Sequence, residues 1–196
     1  MEQATPKKIL SLPNLREGAV DFNIAMHRNA MESIKGHELN IARTEFHFMT
    51  ALLTDDGKAT DPALVVVDSS RVKEFLNQAK KHYSDKDISK WPIVIISSDT
   101  QDMEDAKRHR YKAAFDKLNV IGYFPVEDQR LPAFGVAMEA TISCLERNVE
   151  IGPDAFKRMV KEIKDKDLDQ DACLRRINKT VVDQKSSPLN RVKLAF

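Results

Sequence analysis

The feature that most constrains the fold is the apolar run from Leu64 to Val67, which Asp68 follows directly. A short run that is apolar at every position and has no polar face predicts a strand buried on both sides. Such strands are typical of parallel sheets with helices on both faces. Ligands of open parallel sheets collect at the carboxyl ends of the strands. Asp68 is therefore expected at the edge where a functional site would lie.

The same pattern recurs later in the chain. Residues 92–97 again join β-branched apolar side chains to a polar end, the hydroxyl of Ser97. Three more apolar segments predict strands at residues 7–12, 38–44 and 120–124. Because helical spacings separate these strands, we expect a five-stranded parallel, doubly wound sheet of the flavodoxin-like α/β class.

Helices are predicted where apolar residues recur every three or four positions. They cover residues 15–35, 46–53, 72–83, 103–118 and 134–147. In the first helix, the side chains expected to face the sheet are Phe22, Met26, Ala30 and Ile34. Strands and helices together predict a domain over residues 7–147.

Residues 148–196 have a different character. Gly152, Pro153 and Asp154 break the chain and predict the start of a helix that continues to about residue 163. A second helix is predicted over residues 168–182, and the remainder is a basic tail. This extension is expected to pack on the domain, to form a homodimer or to dock a partner.

Composition restricts the function classes. The formal net charge is only +1 over 196 residues, with acids and bases interspersed, so the chain has no overall field that would attract nucleic acid. No apolar run approaches the length needed to cross a bilayer, so we expect a cytoplasmic protein without membrane insertion. Cys144 and Cys173 stand singly and are interpreted as core residues. The five histidines lack metal-binding spacing, and there is no glycine-rich phosphate loop.

Three strand motifs, taken in order, resemble the receiver domain of two-component response regulators. Residues 62–68 resemble its third strand, which ends in the phospho-acceptor aspartate, here Asp68. Residues 92–97 resemble its fourth strand, and residues 122–124 its fifth. The resemblance covers about residues 7–147. It implies that Ser97 and Tyr123 stand where the family has its hydroxyl and aromatic switch residues.

Two supports of phosphoryl transfer are missing from the pattern. Receivers hold Mg²⁺ with an acidic pair after the first strand, but Pro13 and Asn14 occupy those positions. They also place a lysine after the fifth strand, where this chain has Val126, or Phe124 in the alternative alignment. Phosphoryl transfer depends on the acidic pair and the lysine that are missing here. Pro13, Asn14 and Val126 are thus positions of a degenerate site, and we expect the chain to bind no metal or other cofactor.

Asp68 therefore has two interpretations. As an acceptor it would need Mg²⁺, with Glu17 or Asp99 as replacement ligands. As a structural residue it would cap the turn that follows through Ser69 and Ser70. The missing charges favour the structural interpretation.

The sequence thus predicts an atypical, pseudo-receiver signalling protein rather than an enzyme. It would act as a protein-interaction module independent of aspartyl phosphorylation. The resemblance places its partner face on the helix before the fifth strand, on Tyr123, and on Phe134 and Met138. Two alternatives stay open: a true phospho-accepting receiver that uses Asp68, and a DNA-binding regulator that uses the basic tail. An enzyme on the same sheet would lack a credible pair of nucleophile and base.

Overall fold

The computed structural model describes residues 7–53, 60–97, 118–185 and 192–193. The helix predicted over residues 103–118, with its basic stretch at 107–117, lies outside the described residues except for its last position.

The centre of the fold is a sheet of five parallel strands in the order β2-β1-β3-β4-β5. The strands are β1 (Lys7–Leu12), β2 (His37–Ile41), β3 (Leu64–Asp68), β4 (Pro92–Ser97) and β5 (Asn119–Pro125). This is the flavodoxin-like arrangement, so the predicted fold class is confirmed. Every residue of β3 is buried, as its continuous apolar run predicts.

Seven α-helices surround the sheet in the described part of the chain. They are α1 (Val20–Met31), α2 (Glu45–Ala51), α3 (Val72–His82), α4 (Asp85–Ile88), α5 (Pro132–Glu146), α6 (Pro153–Asp165) and α7 (Gln170–Lys185). Short 3-10 turns follow β3 and β5, at Ser69–Arg71 and Val126–Arg130. Two short strands, β6 (Val149–Glu150) and β7 (Val192–Lys193), pair in parallel. None of the described helices is long and apolar enough to cross a membrane.

Side-chain alternation along the strands divides the core into two layers. On one face, Leu64 and Val66 join a cluster with residues of α1, α5, α6 and α7. On the other face, Val65 and Val67 join residues of α2 and α3, together with the buried ring of Trp91. The sheet is thus covered on both sides.

The inward face of α1 differs from the predicted one. Phe22 is 46% exposed, whereas Ile24, His27 and Met31 are buried against the sheet. Of the other predicted residues, Ile34 is buried in the core and Ala30 packs against it, so the prediction fails at Phe22. A polar residue can occupy the inner face because both ring nitrogens of His27 find hydrogen-bond partners.

The C-terminal helices contribute to the core of the sheet. Phe156 of α6 and Ile177 of α7 are fully buried in the same cluster as Ile9 of β1. At Gly122 of β5, an added Cβ atom would lie 2.2 Å from Cγ of Phe156, so the ring rests directly on the strand backbone. The extension therefore completes one layer of the fold.

Candidate functional site at the carboxyl edge of the sheet

The carboxyl ends of all five strands meet at one edge of the sheet, since the strands are parallel. The chain leaves β1 toward β2 on one side, and β3 lies on the other, so the topological switch point falls between β1 and β3. In open α/β sheets this crevice is the usual ligand site. Asp68 at the end of β3, and Pro13 and Asn14 just after β1, are the residues at that crevice.

Asp68 is only 5% exposed and is used by the turn that follows it. Its Oδ1 atom accepts a hydrogen bond from the backbone N–H of Ser70 at 2.9 Å and another from the Ser70 hydroxyl at 2.5 Å. It is the N-cap of the 3-10 turn. The contacts of Asp68 are therefore those of a residue that caps the following turn.

A buried arginine lies three residues further on. Arg71 is 5% exposed, and its Nη1 atom donates to the carbonyl oxygens of Pro13, at 3.2 Å, and Ala42, at 2.7 Å. Nε donates to Glu74 at 2.8 Å, and Nη2 donates to the other oxygen of the same carboxylate. The guanidinium thus bridges the segments that follow β1 and β2, beside the switch point, and its charge is paired with the Glu74 carboxylate.

The degenerate positions have structural roles of their own. Asn14 accepts a hydrogen bond from the backbone N–H of Arg16 through Oδ1, at 2.8 Å, and from Asn23 through its carbonyl oxygen. Val126 packs against the core, and its carbonyl oxygen accepts from Gln129. Among the described residues, no group of three His, Cys, Asp or Glu side chains is arranged to hold a metal ion.

Ser97 and Tyr123 lie on neighbouring strands, and Tyr123 pairs with Ile95, two residues before Ser97. Ser97 pairs with Pro125, and Asp68 pairs with Ile96, so Asp68 and Ser97 are offset by one residue on neighbouring strands. Ser97 is 2% exposed. Tyr123 is half-buried and packs against the layer of α2 and α3.

Comparisons with known proteins found no relative of this chain. No family model, no curated protein and no solved structure matches the chain. The resemblance to receivers therefore depends on the strand motifs and the fold alone.

Sequence reasoning missed a buried polar chain beside this site. The geometry assigns its direction: Ser11 donates to Nδ1 of His27 at 2.6 Å, and Nε2–H of His27 donates to Oε1 of Gln129 at 3.2 Å. Gln129 in turn donates to the carbonyl of Val126. The chain ties β1 and α1 to the turn after β5. His27 stands three residues after Ile24 and four before Met31, which is the spacing of one helix face. This spacing was the one sign in the sequence that His27 is buried.

Burial lowers the pKa of His27 from 6.5 to about 4, although the hydrogen bond with Gln129 opposes the shift. Between these values the unfolded chain binds more protons than the folded one, so stability falls as the pH falls from 6.5 toward 4. The full loss in the free energy of unfolding is about 3 kcal/mol. We expect urea unfolding at stepped pH to show this loss, and His27→Gln to flatten it. An equal pH slope in both proteins would refute the assignment.

The expected partner face is not accessible at α5. Phe134 and Met138 are 0% exposed, and the Phe134 ring lies 4.9 Å from that of Phe124. Both side chains belong to the layer that α6 and α7 complete. They are therefore unavailable to a partner in this structure.

A groove of mixed lining remains open between α1 and α5. It encloses about 410 Å³, with apolar side chains such as Met26, Leu131 and Val136 beside polar ones such as Asn29 and Glu139. Gly135 lets the helices approach, since a Cβ atom there would lie 3.1 Å from the carbonyl oxygen of Ala30. Met26 and Ala30, two of the four residues that the sequence assigns to the core, line this groove.

Proposed function

We propose that the chain is a receiver-like protein-interaction module that works without aspartyl phosphorylation. The observation that carries this proposal is the Arg71 guanidinium, whose hydrogen bonds to Pro13 and Ala42 occupy the crevice where a receiver would bind Mg²⁺. Directly after β1, where receivers place their acidic pair, Pro13 and Asn14 offer a divalent cation no carboxylate. Asp68 is held by Ser70, and the two positions matched to the receiver lysine carry the apolar side chains of Val126 and Phe124.

The α1–α5 groove is the surface that we assign to the partner. The apolar part of its lining, Met26, Leu131 and Val136, fits the apolar side of an amphipathic helix. Burial raises the pKa of Glu139 at one end of the groove, Lys35 lowers it in part, and Asp171 adds a smaller rise. A lysine or arginine on the docking helix would favour the charged form of this buried carboxyl.

A single affinity experiment tests both parts of this function. The full chain is immobilised untreated, after treatment with a small phosphodonor and Mg²⁺, and as Asp68→Asn. We expect the same partner in all three samples and no phosphoryl adduct in the intact mass of the treated chain. Val136→Arg should lose the partner, because it places a charge in the apolar wall.

An exposed control residue, Lys161 of α6, lies outside the groove, so Lys161→Glu should keep the partner. Two results would contradict the proposal. One is an adduct that disappears in Asp68→Asn, which would make the chain a phospho-accepting receiver. The other is a partner that Val136→Arg retains.

A further inference from the structure

A buried histidine stands at the edge of the sheet where the strands begin, opposite the edge that holds Asp68. His37 is the first residue of β2, and its side chain is only 2% exposed. Its Nδ1 atom lies 3.0 Å from the carbonyl oxygen of Lys35. A carbonyl oxygen can only accept, so Nδ1 carries the proton of the neutral ring, and Nε2 presents a lone pair.

This Nε2 atom is buried without a hydrogen-bond partner. The nearest charged group is the carboxylate of Glu146, the last residue of α5, whose Oε1 atom lies 3.7 Å away. That distance is too long for a hydrogen bond, and in the neutral ring neither atom has a proton to donate. Lys7 contacts the same Oε1 atom at 3.3 Å but leaves Nε2 without a donor. Two acceptors that face each other in a buried place favour a cation between them.

We propose that Nε2 of His37 and Oε1 of Glu146 are ligands of one zinc ion. Zn²⁺ binds imidazole nitrogen and carboxylate oxygen at about 2.0–2.2 Å, so two such ligands at the tetrahedral angle are about 3.4 Å apart. The separation of 3.7 Å needs only a small movement of the Glu146 side chain to reach this value. The hydrogen bond from Nδ1 to a backbone carbonyl is the contact that metal-binding histidines usually make with their other nitrogen.

The surroundings allow the ion to enter. Glu146 is 42% exposed, so its carboxylate can meet the ion in solvent, and Lys7 is 60% exposed and can turn its ammonium into water. Water completes the coordination, since no third His, Cys, Asp or Glu side chain in the described ranges is arranged to join the pair. The spacing of the histidines could not indicate this site, because His37 and Glu146 are distant in the sequence. The bound ion would join the start of β2 to the end of α5.

Titration of the full chain with Zn²⁺ alone tests the proposal, with calorimetry for the affinity and NMR for the histidine ring nitrogens. We expect zinc to shift the Nε2 resonance of His37. His37→Ala and Glu146→Gln should each weaken binding by about tenfold or more, because each removes a ligand. Lys7→Gln should tighten binding by about threefold, since it removes the ammonium that competes for Oε1.

The controls separate this site from adventitious binding. His82→Ala removes an exposed histidine of α3 and should leave the affinity unchanged. Glu146 and Lys7 are exposed, so their variants keep the test valid even if His37→Ala fails to fold. A wild type that binds no zinc overturns the proposal, as does binding that Glu146→Gln leaves intact. A His37 ring that responds to pH but not to zinc, or a Lys7→Gln variant that binds zinc more weakly, would also overturn it.

Discussion

Replacing Arg71 with alanine is expected to lower the free energy of unfolding by about 3 kcal/mol. The guanidinium is buried and donates to Pro13, Ala42 and Glu74. Its loss leaves two carbonyl oxygens without their donor in a site with little access to water, and such groups are expensive to leave unsatisfied. Chemical denaturation followed by circular dichroism measures the change.

Two further variants separate this effect from simple loss of charge. Lys73→Ala, at an exposed position of α3, should change stability by less than about 0.5 kcal/mol. Arg71→Lys keeps a positive charge but cannot reproduce the forked geometry, so it should be nearly as damaging as alanine. If lysine restores full stability, the hydrogen bonds to the strand ends are not what Arg71 supplies.

Replacing Gly122 with alanine is expected to lower the free energy of unfolding by about 2 kcal/mol. The new methyl group would lie 2.2 Å from Cγ and 2.8 Å from Cβ of Phe156, a distance that real Cβ atoms do not tolerate. Either α6 moves away from β5 or the strand shifts. Thermal unfolding of the full chain reports the loss, and Gly152→Ala is the matched control because nothing lies within 4 Å of its added methyl.

A double-mutant cycle would locate this effect at the contact with α6. Phe156→Ala alone should cost about 3–5 kcal/mol, since it empties a fully buried site. Combined with Gly122→Ala it should cost less than the sum of the two, because the cavity accepts the methyl group. Strict additivity would mean that Gly122 is constrained by something other than the phenyl ring.

The fold class was predictable because burial on both faces leaves a direct trace in sequence. The run from Leu64 to Val67 has no polar position, and few structures other than a covered parallel strand bury it. The orientation of α1 was not predictable in the same way. Phe22 and Ile24 are both apolar, and whether one or the other faces the sheet depends on whether His27 finds partners at Ser11 and Gln129, which are distant in sequence.

The candidate site shows the same limit. Asp68 and Ser70, whose backbone N–H it caps, are neighbours in the chain, so their contact could be proposed from local chemistry. The role of Arg71 could not, since its acceptors at Pro13 and Ala42 meet only when β1, β2 and β3 are assembled. A long charged side chain after a buried strand is usually solvated, and the sequence holds no local sign that this one is buried.

The packing of Phe156 against Gly122 has a consequence for the order of folding. Protein chains are synthesised from the amino terminus, so β5 leaves the ribosome before the helix that covers its backbone. Until residue 156 and the helices around it have emerged, the face of β5 that carries Gly122 and Phe124 stays open to water. The sheet is therefore expected to reach its final stability late in synthesis, when α6 closes over its last strand.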